Sequence, residues 1–284
     1  MTGIHWLASY PKSGNTWLRV LLTNYLRAAE TPASINDLDA PWTAATREAF
    51  DECVGLESAD LTREQIDHYR PAVFERLATE PGEPVFLKIH DAFTYNANHA
   101  AIVSKAAAGV IYVFRNPLDV AVSYAHHRND SVDETISAMA CDDAVLAGTD
   151  RAGGQLPQTL LSWSAHVRSW LDQSNLRVHP VRYEDLVHDT AGTFAAIVRF
   201  ACLEFDTCRL EKAVQFSRFE QLRAQELASG FAERQPTAVS FFRSGRCGSW
   251  RDDLTRAQVD RVVADHRDVM LRVGYLSRTG DLLC

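Results

Sequence analysis

Four short apolar stretches rich in β-branched residues, Ile4–Ala8, Val85–Ile89, Val110–Phe114 and Val178–Val181, recur along the chain with helical patterns between them. A helix between two strands carries the chain back along one face of the sheet, so the strands it joins run the same way. The alternation therefore predicts an α/β fold with a central parallel sheet flanked by helices on both faces. Ligands of such sheets sit beyond the carboxyl ends of the strands. The polar residues found there are Lys12, His90, Arg115 and Tyr183.

The first of these exits reads ASYPKSGNTWLR from Ala8 to Arg19, and Thr16–Ala28 beyond it places Trp17, Leu18, Leu21, Leu22, Tyr25 and Leu26 at helical spacing. Amides at a helix start have no intrahelical acceptor and carry the positive end of the helix dipole, so strand, glycine-bearing loop and helix form an anion cradle. Lys12 adds a full charge. In a nucleotide-triphosphate loop the lysine follows the second glycine, as G-x-x-x-x-G-K-[ST]. Here it comes first, in Lys12-Ser13-Gly14-Asn15-Thr16. A plain capped turn with a solvated Lys12 is the other reading of this segment.

At 284 residues and 46% hydrophobic, the chain suits one large α/β domain, residues 1–284. A formal charge of −8 argues against nucleic acid or an anionic membrane as partner, because both are held by dense basic surface. Any anion site is then a local pocket. The six cysteines show neither C-x-x-C nor metal-ligand spacing, which suits free thiols in a reducing compartment. Without a leader or a long apolar run, a cytoplasmic location is expected.

Val113-Phe114-Arg115-Asn116-Pro117-Leu118-Asp119 passes from strand to helix with Pro117 at the first helical position, a second helix start suited to an anion. The planar fork of Arg115 matches phosphate oxygens, and Ser123 lies in the second turn; pairing of Arg115 with an acidic residue is the alternative. Ser240–Trp250 sets Arg243, Ser244, Gly245, Arg246 and Gly248 among aromatics, a loop suited to folding over a nucleotide. Two less regular insertions, about residues 31–84 and 129–157, the second containing Gly153-Gly154, are expected to act as lids or acceptor-binding segments. Gln158–Gln173 reads as a helix that buries Leu160, Leu161, Trp163, Val167, Trp170 and Leu171 in the core.

From Tyr10 to Trp250 the chain resembles the sulfotransferases that use 3′-phosphoadenosine 5′-phosphosulfate (PAPS), which implies a P-loop-like domain; a bacterial small-molecule member is the expectation. Tyr10-Pro11-Lys12-Ser13-Gly14-Asn15-Thr16-Trp17 matches that family's loop for the 5′-phosphosulfate, and Arg115 with Ser123 matches its grip on the 3′-phosphate. The resemblance further implies that Trp17 stacks on adenine, that Tyr183, Ser217 and Phe219 line the nucleotide pocket, and that Arg243, Ser244 and Gly245 form the closing loop. Ser244 stands where the family has lysine, with Arg246 nearby, and Ser249 where an acidic residue is common. No K-x-x-x-T-V-x-x-x-E dimer motif is evident, so the oligomeric state stays open.

The same resemblance makes His90, in Lys88-Ile89-His90, the general base that takes the proton of a small hydroxylated acceptor, although Ile89 replaces a hydroxyl residue. Lys12, with Lys88, is expected to stabilise charge on the leaving phosphate, and no metal is called for. Two rivals stand beside this reading: a P-loop small-molecule kinase, and a catalytically inactive relative that binds the nucleotide alone.

Overall fold

The computed structural model describes residues 3–39, 43–79, 85–103, 107–147, 154–173, 175–236 and 238–283. Residues 40–42, 80–84 and 148–153, which belong to the two expected insertions and include Gly153, lie outside the described residues, as does Cys284. The chain opens with β1 (Ile4–Ser9) and α1 (Asn15–Arg27), followed by α2 (Arg47–Val54) and α3 (Arg63–Thr79). Next come β2 (Val85–Ile89), β3 (Ala107–Phe114), α4 (Pro117–Arg128) and α5 (Val132–Met139). A two-residue pair, β4 (Val145–Leu146) with β5 (Gln158–Thr159), precedes α6 (Trp163–Leu171) and β6 (Val178–Arg182). Helices then follow one another: α7 (Tyr183–His188), α8 (Thr190–Phe200), α9 (Thr207–Phe216), α10 (Phe219–Ser229), α11 (Trp250–Asp253) and α12 (Arg256–Arg272).

All four expected strands form, in one parallel sheet of order β2-β1-β3-β6 flanked by helices. The register pairs Ile4 with Val85 and runs to Ala8 opposite Ile89. Every residue of β1 is buried, which explains why its sequence is a nearly unbroken apolar run. The helix expected over Gln158–Gln173 begins only at Trp163. Gln158 and Thr159 pair with β4, Leu161 turns the chain at φ 59°, and the Ser162 hydroxyl caps α6 by accepting from the Ala165 amide. The apolar spacing misled at that end because Leu160 is buried from an irregular segment rather than from a helix.

The chain divides into two compact units, Met1–Tyr10 with Ala40–Tyr112 and Asp142–Pro180, and Pro11–Asp39 with Val113–Cys141 and Val181–Cys284. Lys12, Arg115 and Tyr183 belong to the second, His90 to the first. The first unit is built on β1 and on aromatic contacts: Trp6 meets Phe74 edge-on at 4.9 Å, and Tyr112 stacks on Trp170 at 6.1 Å. Trp163, Val167 and Trp170 are fully buried, each worth about 1.5–3 kcal/mol relative to exposure. The second unit packs α1 against α9 and has a cluster of Val20, Ile35, Leu38, Leu222, Phe231 and Phe242, bordered by Trp17, Phe219 and Phe241. The Tyr25 hydroxyl donates to the Glu204 carbonyl and accepts the Asp206 amide, tying α1 to the start of α9. The cysteines among the described residues are free thiols, and no helix there is long and apolar enough to cross a membrane.

Candidate active site

In the second unit the loop leading to α1 passes through Lys12 at φ 65° and Gly14 at φ 106°. Only glycine suits position 14, because a Cβ there would stand 2.6 Å from Cδ2 of Tyr183. Gly14 is the N-cap of α1, no side chain caps the helix, and its first turn has no acidic residue. The helix thus sets no carboxylate of its own against the positive end of its dipole. Ser13, Asn15 and Thr16 are buried, and the Ser13 hydroxyl has no hydrogen-bond partner among the described residues. Leaving such a group unsatisfied costs about 1–3 kcal/mol, which an anionic oxygen in the cradle would relieve.

Three distant segments meet at the Arg115 guanidinium. Nη1 donates to the Lys12 carbonyl at 3.5 Å, Nη2 donates to the Arg246 carbonyl at 3.2 Å, and the guanidinium carbon stands 4.4 Å from the centre of the Tyr183 ring. Asp119 lies 3.8 Å away on the next turn, so the acidic pairing weighed from the sequence exists at long range. Arg115 Nε is buried without a partner among the described residues. The start of α4 is not the open helix end expected from the sequence: Asn116 accepts the Leu118 amide on its own side chain, and its own amide goes to Glu184. With those two amides taken, the Arg115 guanidinium is the cationic group at this turn. Ser123 is half-buried on α4.

Two carboxylates fasten the segment 241–250. Glu226 accepts the amides of Phe241 and Phe242 at 2.7 and 2.9 Å, while Asp119 accepts the Gly248 amide, the Ser249 hydroxyl and the Trp250 amide at 2.8–3.1 Å. Ser249 thus stands beside a carboxylate that α4 supplies. Gly245 (φ 63°) lies so close over the Phe219 ring that any Cβ would collide with it. Lys12 Nζ sits 3.7 Å from the centre of the Phe241 ring. Ser244 keeps a buried hydroxyl without a partner, Arg243 pairs with Asp253 at 3.5 Å, and the exposed Arg246 side chain pairs with Asp252 at 2.7 Å. The Trp17 indole donates to the Ser217 carbonyl at 2.8 Å and approaches Tyr183 edge-on, while the Ser217 hydroxyl accepts from Asn24. Burial raises the Tyr183 pKa, and the nearby Arg115 opposes that rise.

Neither Asp119 nor Glu226 was singled out in the sequence. Asp119 stands four residues after Arg115 in an N-terminal helical turn, a visible position, but its partners lie 129–131 residues downstream.

In the first unit His90 follows β2, and its Nδ1 lies 2.7 Å from the Ser9 carbonyl oxygen and 3.3 Å from the Ser9 hydroxyl. A carbonyl oxygen only accepts, so Nδ1 carries the proton and the neutral ring has its lone pair on Nε2. Lys88 is half-buried opposite Leu7, and its carbonyl accepts the Ala44 amide. Asp91 is wholly buried, bonded to Arg70 and to the Thr159 amide. His166, Asp91 and Arg70, which brace this turn, carried no sequence signal of their own.

Known proteins are similar to this chain over most of its length. The chain is 24% identical over 270 residues to flavonol 3-sulfotransferase of Flaveria bidentis, covering 90% of this chain and 78% of that protein. It is 24% identical over 284 residues to cytosolic sulfotransferase 17 of Arabidopsis thaliana, covering 95% and 75%. The crystal structure of mouse sulfotransferase SULT7A1 complexed with PAP superposes with a TM-score of 0.60 at 18% identity, covering 95% of this chain and 85% of that one, a likeness of fold. The model of the sulfotransferase domain matches residues 4–274, nearly the whole length, and the chain belongs to that family.

Proposed function

We propose that this sulfotransferase takes the sulfuryl group of PAPS to the hydroxyl of a small acceptor, with His90 as general base. The observation that carries the donor reading is the meeting of the Lys12 loop, the Tyr183 ring and the 241–250 segment at one guanidinium, that of Arg115. Buried, unpartnered oxygens at Ser13 and Ser244 and an unpartnered Nε at Arg115 fit a multiply anionic nucleotide. The loop before α1, with Lys12, suits the 5′-phosphosulfate; Arg115 with Ser123 suits the 3′-phosphate. Trp17 would stack on the adenine, Tyr183, Ser217 and Phe219 would line the nucleotide pocket, and Arg243, Ser244 and Gly245 would close it.

When bound, PAPS supplies an activated sulfuryl group whose leaving group is adenosine 3′,5′-bisphosphate (PAP). The chain's part is acid–base and electrostatic. Nε2 of His90 accepts the acceptor's hydroxyl proton as the oxygen forms its bond to sulfur, a task open to an imidazole near neutral pH. Lys12, the amides at the start of α1 and Lys88 stabilise the charge that develops as the bridging S–O bond breaks.

Flavonols, androsterone and retinol appear in the names of proteins similar to this one, and they define the acceptor panel. Incubating the full chain with 35S-labelled PAPS and a flavonol, androsterone, retinol or 4-nitrophenol should give labelled sulfate esters, and His90→Ala should abolish them while PAP binds as before. Turnover that persists in His90→Ala would remove the base. Tight PAP binding with no ester from any hydroxyl compound would leave a nucleotide-binding protein, and magnesium-dependent ATP turnover would make it a kinase.

A further inference from the structure

We infer that His166 is a positioning residue for the base: its Nε2–H, aimed by the Tyr112 hydroxyl on Nδ1, holds the main-chain carbonyl of His90 and sets where the His90 imidazole stands. The inference rests on His90 being the base. His166 Nε2 lies 3.1 Å from the His90 carbonyl oxygen, and its Nδ1 lies 2.8 Å from the Tyr112 hydroxyl. The carbonyl can only accept, so Nε2 bears the proton, Nδ1 bears the lone pair and the Tyr112 hydroxyl must donate. Every direction in the chain from Tyr112 to His90 is thereby fixed.

The environment keeps it fixed. His166 and Tyr112 are fully buried, the Tyr112 ring stacks on the imidazole at 5.7 Å, and Tyr10 closes it edge-on at 5.4 Å. Burial lowers the His166 pKa to about 4, so near neutral pH the ring is uncharged and holds one tautomer. One turn further along α6, the Trp170 indole donates to the Asp91 carbonyl at 3.1 Å, and the Ser169 hydroxyl accepts the Phe93 amide at 3.0 Å. His166 and Trp170 stand four residues apart on one helix face and take consecutive carbonyls, those of residues 90 and 91. The chain leaves β2 at His90, where the strand's own ladder ends, and α6 replaces that ladder as the template. With Ser9 orienting the ring and His166 holding the backbone, the base is fixed at both ends.

The test compares His166→Phe, His166→Gln and Tyr112→Phe in the full chain, using PAPS with the best acceptor of the panel above, PAP calorimetry, and 15N signals of the His166 ring. His166→Phe should lower kcat about 10- to 100-fold while the PAP Kd changes less than about twofold, since a misplacement near 1 Å costs about that much. Gln, whose amide can donate to the same carbonyl, should restore most of the rate. Tyr112→Phe should give a smaller loss and 15N shifts showing two His166 tautomers in place of one. A His166→Phe enzyme as fast as the parent, or a Gln variant as slow as the Phe variant, overturns the inference. If His166→Phe does not fold, Tyr112→Phe decides: unchanged kcat with an unchanged tautomer overturns it as well. His90→Ala separates the two levels, because activity in that variant removes the base itself, whereas an inactive His90→Ala beside a fully active His166→Phe removes only the role of His166.

Discussion

The Arg70 guanidinium and the Asp91 carboxylate meet as a two-pronged pair, Nη1 on Oδ1 and Nη2 on Oδ2 each at 2.9 Å, with both side chains shut off from solvent. Asp91 adjoins His90, so the pair anchors α3 to the turn that carries the base. Removing Asp91 leaves the buried Arg70 with only the more distant Asp67, at 3.3 Å, as counterion, and Asp91→Ala should lower the unfolding free energy by about 3–5 kcal/mol. Replacing both, as Arg70→Met with Asp91→Leu, should cost less than the two single changes added together. Urea unfolding measures this; additive losses would mean the pair is not coupled.

Stability should fall as acid is added below pH 6.5. His166 is buried and lowered to about 4, and His5, stacked on Phe86, is lowered to about 4 as well, chiefly by burial. Both are neutral in the folded chain, whereas the unfolded chain takes up their protons near pH 6.5. The unfolded state therefore binds more protons between about pH 4 and 6.5. Stability is fully present above that window and lost through it, by up to about 1.4 kcal/mol per pH unit for each ring. Unfolding curves of His166→Gln should show a shallower decline over the same window; an identical decline would contradict the burial argument.

Donor binding should depend on Arg115 and, at one remove, on Asp119. Arg115→Ala should weaken PAP about 10- to 100-fold, and Arg115→Lys should recover little, because an ammonium lacks the fork that spans two acceptors. Asp119→Ala frees the Gly248 and Trp250 amides and the Ser249 hydroxyl. Chymotrypsin should then cut after Trp250 faster than in the parent. An unchanged PAP Kd in Arg115→Ala would overturn the phosphate assignment, and unchanged cleavage in Asp119→Ala would overturn the fastening role.

Gly14→Ala tests the cradle itself. Alanine at φ 106° is strained, and its Cβ would press on the Tyr183 ring at 2.6 Å. The ring or the loop must move, so PAP affinity should drop at least about tenfold, with roughly 1–3 kcal/mol lost from stability. Calorimetry that shows parental affinity would mean the loop before α1 does not touch the nucleotide.

The sheet was legible because its inner strands β1 and β3 and the edge strand β2 are short, mainly apolar runs, and β1 and β2 appear within a residue of their expected bounds. The start of α1 was legible for a similar reason: Gly14 and the apolar spacing after it act over a few residues. The start of α4 at Pro117 was legible as well, whereas the fate of its first amides was not, because the Asn116 side chain turns back onto the Leu118 amide and Glu184, distant in sequence, takes the Asn116 amide. The start of α6 was misread because burial of Leu160 imitates helical spacing.

Local pattern alone determined the α/β alternation, the glycine that lets the Lys12 loop turn, and the aromatic core of α6, since periodicity and backbone dihedrals are properties of neighbouring residues. Tertiary structure decided which carboxylates fasten the 241–250 segment, which helix holds the carbonyl of His90, and which nitrogen of that imidazole is left with a lone pair. Those outcomes depend on hydrogen bonds between residues 15 to 131 positions apart. Such a bond has no signature in either partner's surroundings along the chain, and only the folded packing selects it from the many donors and acceptors of the same chemistry.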